Sequence, residues 1–174
     1  MRAPSSVDVK LNLKFLEVSG TWQPNDVERR AAWDLYVELT TRVTIVPIRQ
    51  EEGVLREALA SIYSVFASTR EILKRYGPEV AEPKRSGQYN FAFLAIALLN
   101  YELRPILSKW HPELEEWEIM RAPDVSRREH EAAWDLCGEL REELSVMRRT
   151  VMTYANTLGT ACGVPDLSAA IPRD

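Results

Sequence analysis

At 174 residues the chain has the length of one domain, and a hydrophobic content of 45% is enough to bury a core without a metal or a disulfide. The net charge is -4 and the basic pairs are scattered among carboxylates, which argues against the concentrated basic face of a nucleic-acid-binding protein. The sequence has no glycine-rich phosphate loop, Cys-x-x-Cys pair or serine nucleophile motif, so no cofactor, metal or small-molecule ligand is implied.

The cysteines and the N-terminal residues bear on the cellular location of the protein. Cys137 and Cys162 lack the spacing of a metal site, and both are expected to be reduced. The N-terminal sequence lacks the continuous apolar segment of a secretory signal. Arginine outnumbers lysine, as is typical of proteins from GC-rich bacterial genomes. These features predict a cytoplasmic, bacterial protein.

Hydrophobic and polar residues alternate over residues 7–16, and this period of two predicts a β-strand with one buried face. No other stretch gives so clean a strand signal. A lone strand leaves its backbone groups unpaired, so it needs a partner. The β-branched stretch 40–48 and the same strand of a second subunit are both candidates. The buried face would carry Val7, Val9, Leu11, Leu13 and Phe15.

Apolar residues at alternating spacings of four and three predict four main helices. The first follows the start signal Pro24-Asn25-Asp26 and ends at the latest at Pro47. Gly77-Pro78 ends the second, because glycine closes a helix and proline cannot continue it. A loose tail is expected over residues 160–174. The helices are placed near residues 25–45, 52–76, 88–108 and 124–158.

The third helix contains the run from Phe91 to Leu99, which is apolar on every side and is therefore expected to be surrounded by other elements. Polar and charged residues bracket this run, so it is too short to span a membrane, which takes about 20 apolar residues. Pro105 should end or kink the helix, with at most one further turn. His111-Pro112 should then break the chain before a short helix over residues 113–120.

Together these elements predict a mostly α protein, a single domain over residues 1–174 that is four-helix-bundle-like with a short N-terminal β-strand. The pattern leaves open the order of the helices in space and whether the last helix projects beyond the bundle. The unpaired strand, the five tryptophans and the length of the last helix each leave surface that a second subunit could cover. Self-association as a homodimer, or binding of another protein, is therefore expected.

One segment of the first helix recurs in the last. The sequence AAWDLYVEL around Trp33 returns as AAWDLCGEL around Trp134, and both copies share one helical frame. One interpretation is that Trp33 and Trp134 broaden the core-facing surface of two similar helices. The other is that each tryptophan, with its neighbour Asp34 or Asp135, forms one of two related surfaces that bind a partner.

The two histidines are the first candidates for proton transfer near neutral pH. His130 lies between two glutamates and is expected to be exposed and charge-paired. Arg104 and His111 form an Arg-x6-His pair at the end of the third helix. This spacing resembles the Arg-x4-6-His signature of HEPN-type ribonucleases, which are small helical bundles and often dimers. The resemblance implies that Arg104 would steady phosphate charge and that His111 would handle protons.

Two functions follow from these patterns. The first is a non-enzymatic interaction or regulatory module that acts through protein–protein contacts, because packed apolar faces dominate the sequence and no convincing catalytic set is present. The alternative is a HEPN-like, metal-independent ribonuclease that uses Arg104 and His111. Nucleic acid is an expected partner only under this alternative.

Overall fold

The computed structural model describes residues 3–42, 55–167 and 170–171. It is mostly helical, at 67%, with a three-stranded sheet that includes both N-terminal strands. The strands are β1 (Val7–Leu13), β2 (Leu16–Trp22) and β3 (Gln88–Tyr89). The helices are α1 (Asp26–Thr40), α2 (Leu55–Tyr76), α3 (Phe91–Leu98), α4 (Arg104–Ile119), α5 (Arg127–Ala132) and α6 (Cys137–Cys162).

The mostly α prediction is confirmed, whereas the number of helices differs from it. A π-helical segment, Leu99–Leu103, joins α3 to α4, and the three form one continuous helix, Phe91–Ile119. The described residues therefore hold five helices where four were predicted. The four-helix-bundle-like arrangement stays a prediction.

The partner of β1 is β2, which the sequence pattern did not reveal. The two strands pair antiparallel in a hairpin with Leu13 opposite Leu16, so the first strand ends three residues before the predicted position. β3 pairs parallel with the end of β2. Gly20 is needed in β2, because a Cβ there would lie 2.5 Å from the carbonyl oxygen of Gly87. Of the alternative partner 40–48, residues 43–48 lie outside the described residues.

The first helix begins at the predicted start signal and packs mainly against α6 and α2. Asn25 caps α1, because its side chain accepts the Glu28 backbone N–H while Glu28 accepts the N–H of Asn25. α1 ends at Thr40, earlier than the predicted residue 45, and its predicted latest end, Pro47, lies outside the described residues. Gly159 of α6 faces the ring of Tyr36, so the two helices approach closely there.

Glu28 is fully buried and fixes the start of the long helix. Its Oε1 accepts the Phe91 backbone N–H at 2.9 Å and the Trp22 indole N–H at 3.2 Å. Its Oε2 accepts the Lys84 ammonium at 2.8 Å and the Asn25 N–H at 2.8 Å. One carboxylate therefore ties β2, the cap of α1, the linker after α2 and the first turn of α3 together.

Neither proline ends the long helix, although Pro105 was predicted to end or kink it and His111-Pro112 to break the chain. Pro105 is the second residue after the π-helical segment, in which the Arg104 N–H donates to the Leu99 carbonyl, and this wider turn accommodates the proline ring. Pro112 lies inside α4, and both it and Ser108 are exposed. The Ser108 carbonyl, which would have accepted the missing N–H, can therefore be hydrated.

The last predicted helix, 124–158, consists of two helices with a break between them. Ser126 caps the short α5 with a capping box, and α6 continues to Cys162, four residues beyond the predicted end. The break places Trp134 between α5 and α6. The tail expected over 160–174 begins inside α6, and of the rest only residues 163–167 and 170–171 are described.

Glu143 of α6 holds the hairpin turn and α4 in place. It accepts the Lys109 ammonium at 2.6 Å, the Lys14 ammonium at 2.8 Å and the Trp110 indole N–H at 3.1 Å. Burial alone would raise the pKa of Glu143, but the hydrogen bonds from Lys109, Lys14 and Trp110 lower it to about 2. The carboxylate is therefore ionised at physiological pH.

By length and composition, one helix in the described part of the chain could cross a membrane, namely Phe91–Ile119. Of its most apolar 18-residue window, 56% is buried inside the structure. A core helix of a soluble protein has the same properties, so this helix is consistent with a soluble protein.

Candidate functional site

Trp33 and Asp34 lie on the surface of α1. Trp33 is 41% exposed and its ring stacks on Tyr36, with centroids 5.8 Å apart. Asp34 accepts hydrogen bonds from the Arg75 guanidinium at 2.8 Å and from the Tyr76 hydroxyl at 2.9 Å. Trp33 therefore offers an aromatic surface to solvent, while its neighbouring carboxylate is held by α2.

Trp134 has the opposite environment. It is only 7% exposed and packs edge-on against the buried Trp110, with ring centroids 5.9 Å apart and ring planes at 87°. Asp135 beside it is exposed. Because Trp33 lies in mid-helix and Trp134 in a helix break, the two copies of the repeated segment do not share one frame, and they do not form matching surfaces.

Arg104 and His111 are brought together in one cleft between α2 and α4. The cleft has a volume of about 350 Å³. The Arg104 guanidinium lies over the Phe66 ring, 5.2 Å from its centroid, and its Nε donates to Asn100 Oδ1 at 3.0 Å. The lining residues are Tyr63, Ser64, Phe66, Ala67, Arg70, Arg104, Leu107, Ser108 and His111.

Neither ring nitrogen of His111 is free to act on a molecule in this cleft, because Nδ1 is hydrogen-bonded and Nε2 is buried. An arginine can only donate, so His111 Nδ1 accepts the Arg56 N–H, with the two nitrogens 2.8 Å apart. Nε2 is buried and has no hydrogen-bond partner among the described residues. Burial and the neighbouring Arg56 charge lower the pKa of His111 and outweigh Glu115 and Glu118, which raise it. His111 is therefore neutral near pH 7, and its proton faces protein.

His130 forms no ion pair with any residue that the structure describes, contrary to the prediction. Its ring stacks on Trp117 with centroids 4.6 Å apart, and its Nε2 lies 2.7 Å from the Trp117 carbonyl oxygen. The Trp117 indole N–H donates in return to the His130 carbonyl at 2.8 Å. This reciprocal pair attaches α5 to α4. No group of three or more potential metal ligands occurs among the described residues.

The long helix Phe91–Ile119 carries a continuous exposed face, which we call the outer stripe. Apart from the adjacent Glu115 and Glu116, its residues follow one another at spacings of three and four, so they share one side of the helix. Phe93 and Ile96 are each 46% exposed, and Tyr89 stacks on Phe93 with centroids 5.1 Å apart. The stripe consists of Phe93, Ile96, Asn100, Arg104, Ser108, Pro112, Glu115, Glu116 and Ile119.

The outer stripe corrects the expectation that other elements cover the run from Phe91 to Leu99 on every side. On this side of the helix Phe93 and Ile96 each remain 46% exposed, and Tyr89 covers part of Phe93. Sequence reasoning missed this face, because a helix that is apolar all round has no periodic signal to mark which side is outermost.

Comparison of the chain with protein-family models, curated proteins and solved structures finds no match.

Proposed function

We propose that the protein is a non-enzymatic interaction module that acts through protein–protein contacts, with the outer stripe as its contact surface. The half-exposed Phe93 and Ile96 carry the proposal. Burying a large apolar side chain completely is worth about 1.5–3 kcal/mol, so a partner that covers the exposed half gains roughly 1 kcal/mol from each. Aromatic and aliphatic anchors beside a polar rim are typical of protein interfaces.

Trp33 is a second proposed anchor, on α1 and not on the long helix. Its ring is large, partly exposed and already stacked on Tyr36, so little conformational entropy is lost when a partner binds. Trp134, by contrast, supports the fold through Trp110 and is too buried to meet a partner directly. Asp34 and Asp135 flank the two tryptophans as proposed polar contacts.

The proposal predicts that replacing both Phe93 and Ile96 with glutamate abolishes partner binding and leaves the fold intact. Tagged wild-type protein from the native host should retain a stoichiometric polypeptide partner, and the double variant should lose it, because two carboxylates would be desolvated in the interface. Affinity capture with mass spectrometry measures the partner, and circular dichroism checks the helix content.

A matched control replaces two other exposed apolar residues, Phe15 and Val146, with glutamate. This variant should capture the partner as well as the wild type does. Equal recovery by the variants at Phe93 and Ile96 would contradict the proposal.

A HEPN-like, metal-independent ribonuclease is the second candidate function, because Arg104 and His111 line one cleft. The interaction module is preferred because Nδ1 of His111 already accepts a hydrogen bond from Arg56, and its Nε2 is buried. Under the ribonuclease alternative, purified protein in EDTA cleaves RNA, and either Arg104→Ala or His111→Ala abolishes cleavage. RNA that stays intact with the wild-type protein would remove this alternative.

A further inference from the structure

Building on the proposed function, we infer that the partner of the outer stripe is a second copy of this chain. The two long helices pack antiparallel across a twofold axis near Ser108. Ile96 of one copy then lies against Ile119 and Met120 at the C-terminal end of the other copy's helix, and Phe93 lies beside the residues that follow that end. Arg104 of each copy pairs with Glu116 of the other.

The order of residues along the stripe carries this inference. In chain direction the stripe begins with apolar side chains and continues through Asn100, Arg104 and the compact Ser108 and Pro112. It ends with two carboxylates, Glu115 and Glu116, and the apolar Ile119. When two copies of the stripe are placed antiparallel, the apolar start of each lies near the apolar end of the other. Arg104 of each copy then lies near the carboxylate of Glu116 in the other. A parallel pair would set Arg104 against Arg104. An antiparallel twofold interface uses one self-complementary patch on both copies.

The spacing along the helix fits this arrangement. With the axis at Ser108, Arg104 lies opposite Pro112 of the second copy, about 6 Å from the axis at 1.5 Å per residue. Ile96 lies opposite Met120, which is exposed and follows the exposed Ile119. Helical side chains lean toward their own N-terminus, so in an antiparallel pair Arg104 and Glu116 lean toward each other.

The charges of Arg104 and Glu116 on the stripe are available, whereas two charged neighbours off the stripe, Lys109 and Glu118, are paired within the chain. Lys109 bridges Glu139 and Glu143 of α6, and Glu118 binds Arg56 of α2. Within the described residues, Arg104 and Glu116 form no ion pair. Stacking on Phe66 and the Nε bond to Asn100 orient the Arg104 guanidinium while leaving both Nη atoms for a carboxylate.

The test is a pair of charge reversals, Arg104→Glu and Glu116→Arg, with the dimer dissociation constant measured by sedimentation equilibrium from about 1 to about 100 µM. Each variant alone places like charges opposite each other twice and should weaken the dimer at least about tenfold. An equimolar mixture of the two variants should recover wild-type affinity as a heterodimer, because both pairs become attractive again. Arg128→Glu and Glu142→Arg, exposed positions off the stripe, serve as the matched control and should leave the dimer unchanged.

A wild-type protein that stays monomeric across this range would overturn the inference. So would a dimer that tolerates both reversals, or one that the mixture fails to restore. The proposed function would survive each of these results if the variants at Phe93 and Ile96 still lose a different protein partner. It would fail separately if those variants keep every partner.

Discussion

Replacing Glu28 with alanine is expected to lower the free energy of unfolding by about 3–5 kcal/mol, because the variant leaves a partly buried cation and several buried donors without their acceptor. Lys84 would lose the carboxylate beside its ammonium group. The indole N–H of Trp22 and the backbone N–H of Phe91, both buried, would lose their only hydrogen-bond acceptor among the described residues. The start of the long helix, and with it the outer stripe, would lose its attachment to α1.

Urea denaturation monitored by circular dichroism measures this loss. The matched control is Asp26→Ala, which removes an exposed carboxylate from the same helical turn and should cost no more than about 1 kcal/mol. Glu28→Gln should fall between the two, because the amide oxygen still accepts while its NH₂ group cannot. A loss for Glu28→Ala as small as that of Asp26→Ala would show that the four hydrogen bonds contribute little.

Trp134→Ala is expected to destabilise the protein by about 3–5 kcal/mol, the cost of removing a large buried aromatic side chain. The edge-on contact with Trp110 is lost as well, and a cavity remains between α4 and α6. Trp33→Ala removes the same side chain from the related segment, yet it should cost only about 1 kcal/mol because Trp33 is partly exposed.

Thermal and urea denaturation of the two tryptophan variants therefore separate two interpretations of the repeated segment. Unequal costs agree with a core position for Trp134 and a surface position for Trp33. Equal costs would mean that the two tryptophans have equivalent environments, and would contradict the positions described above. The Trp33 variant is also the one in which partner binding can be measured on a fully folded protein.

Structure that depends on neighbouring residues could be predicted from the sequence. Asn25 starts α1 through a capping box, and Gly77-Pro78 closes α2 at Tyr76, because each signal acts within a few residues. The alternation of β1 was recognised for the same reason. Its buried and exposed residues follow the period of two over Val7–Leu13.

Structure that depends on distant residues could not be predicted. The alternation in β2 is interrupted at Gly20. A larger residue would not fit there, because the backbone of Gly87, far along the chain, lies too close. Pro105 looked like a helix end because its accommodation requires the π-helical turn before it, which has no sequence signature of its own. The repeated segment suggested equal roles for Trp33 and Trp134, but the break between α5 and α6 gives them opposite environments.

The candidate site was predicted in part. The sequence singled out Arg104 and His111 as an Arg-x6-His pair at the end of the third helix, and both residues line one cleft in the structure. The sequence could not show that Arg56, from another helix, hydrogen-bonds His111. Nor could it show the outer stripe, since exposure of Phe93 and Ile96 is decided by which side of the long helix the other elements leave open.

The packing of α1 against α6 bears on how the protein folds during synthesis. The β1–β2 hairpin closes locally, so it can form as soon as Trp22 has left the ribosome. The main packing partner of α1 is α6, near the C-terminal end of the sequence. The apolar face of α1 therefore stays uncovered by α6 until the ribosome has translated through Cys162. During that interval α2 is the neighbour available to shield it. Slow translation of the region between α2 and α6 would prolong the exposure, giving chaperones more time to bind and aggregation more time to start.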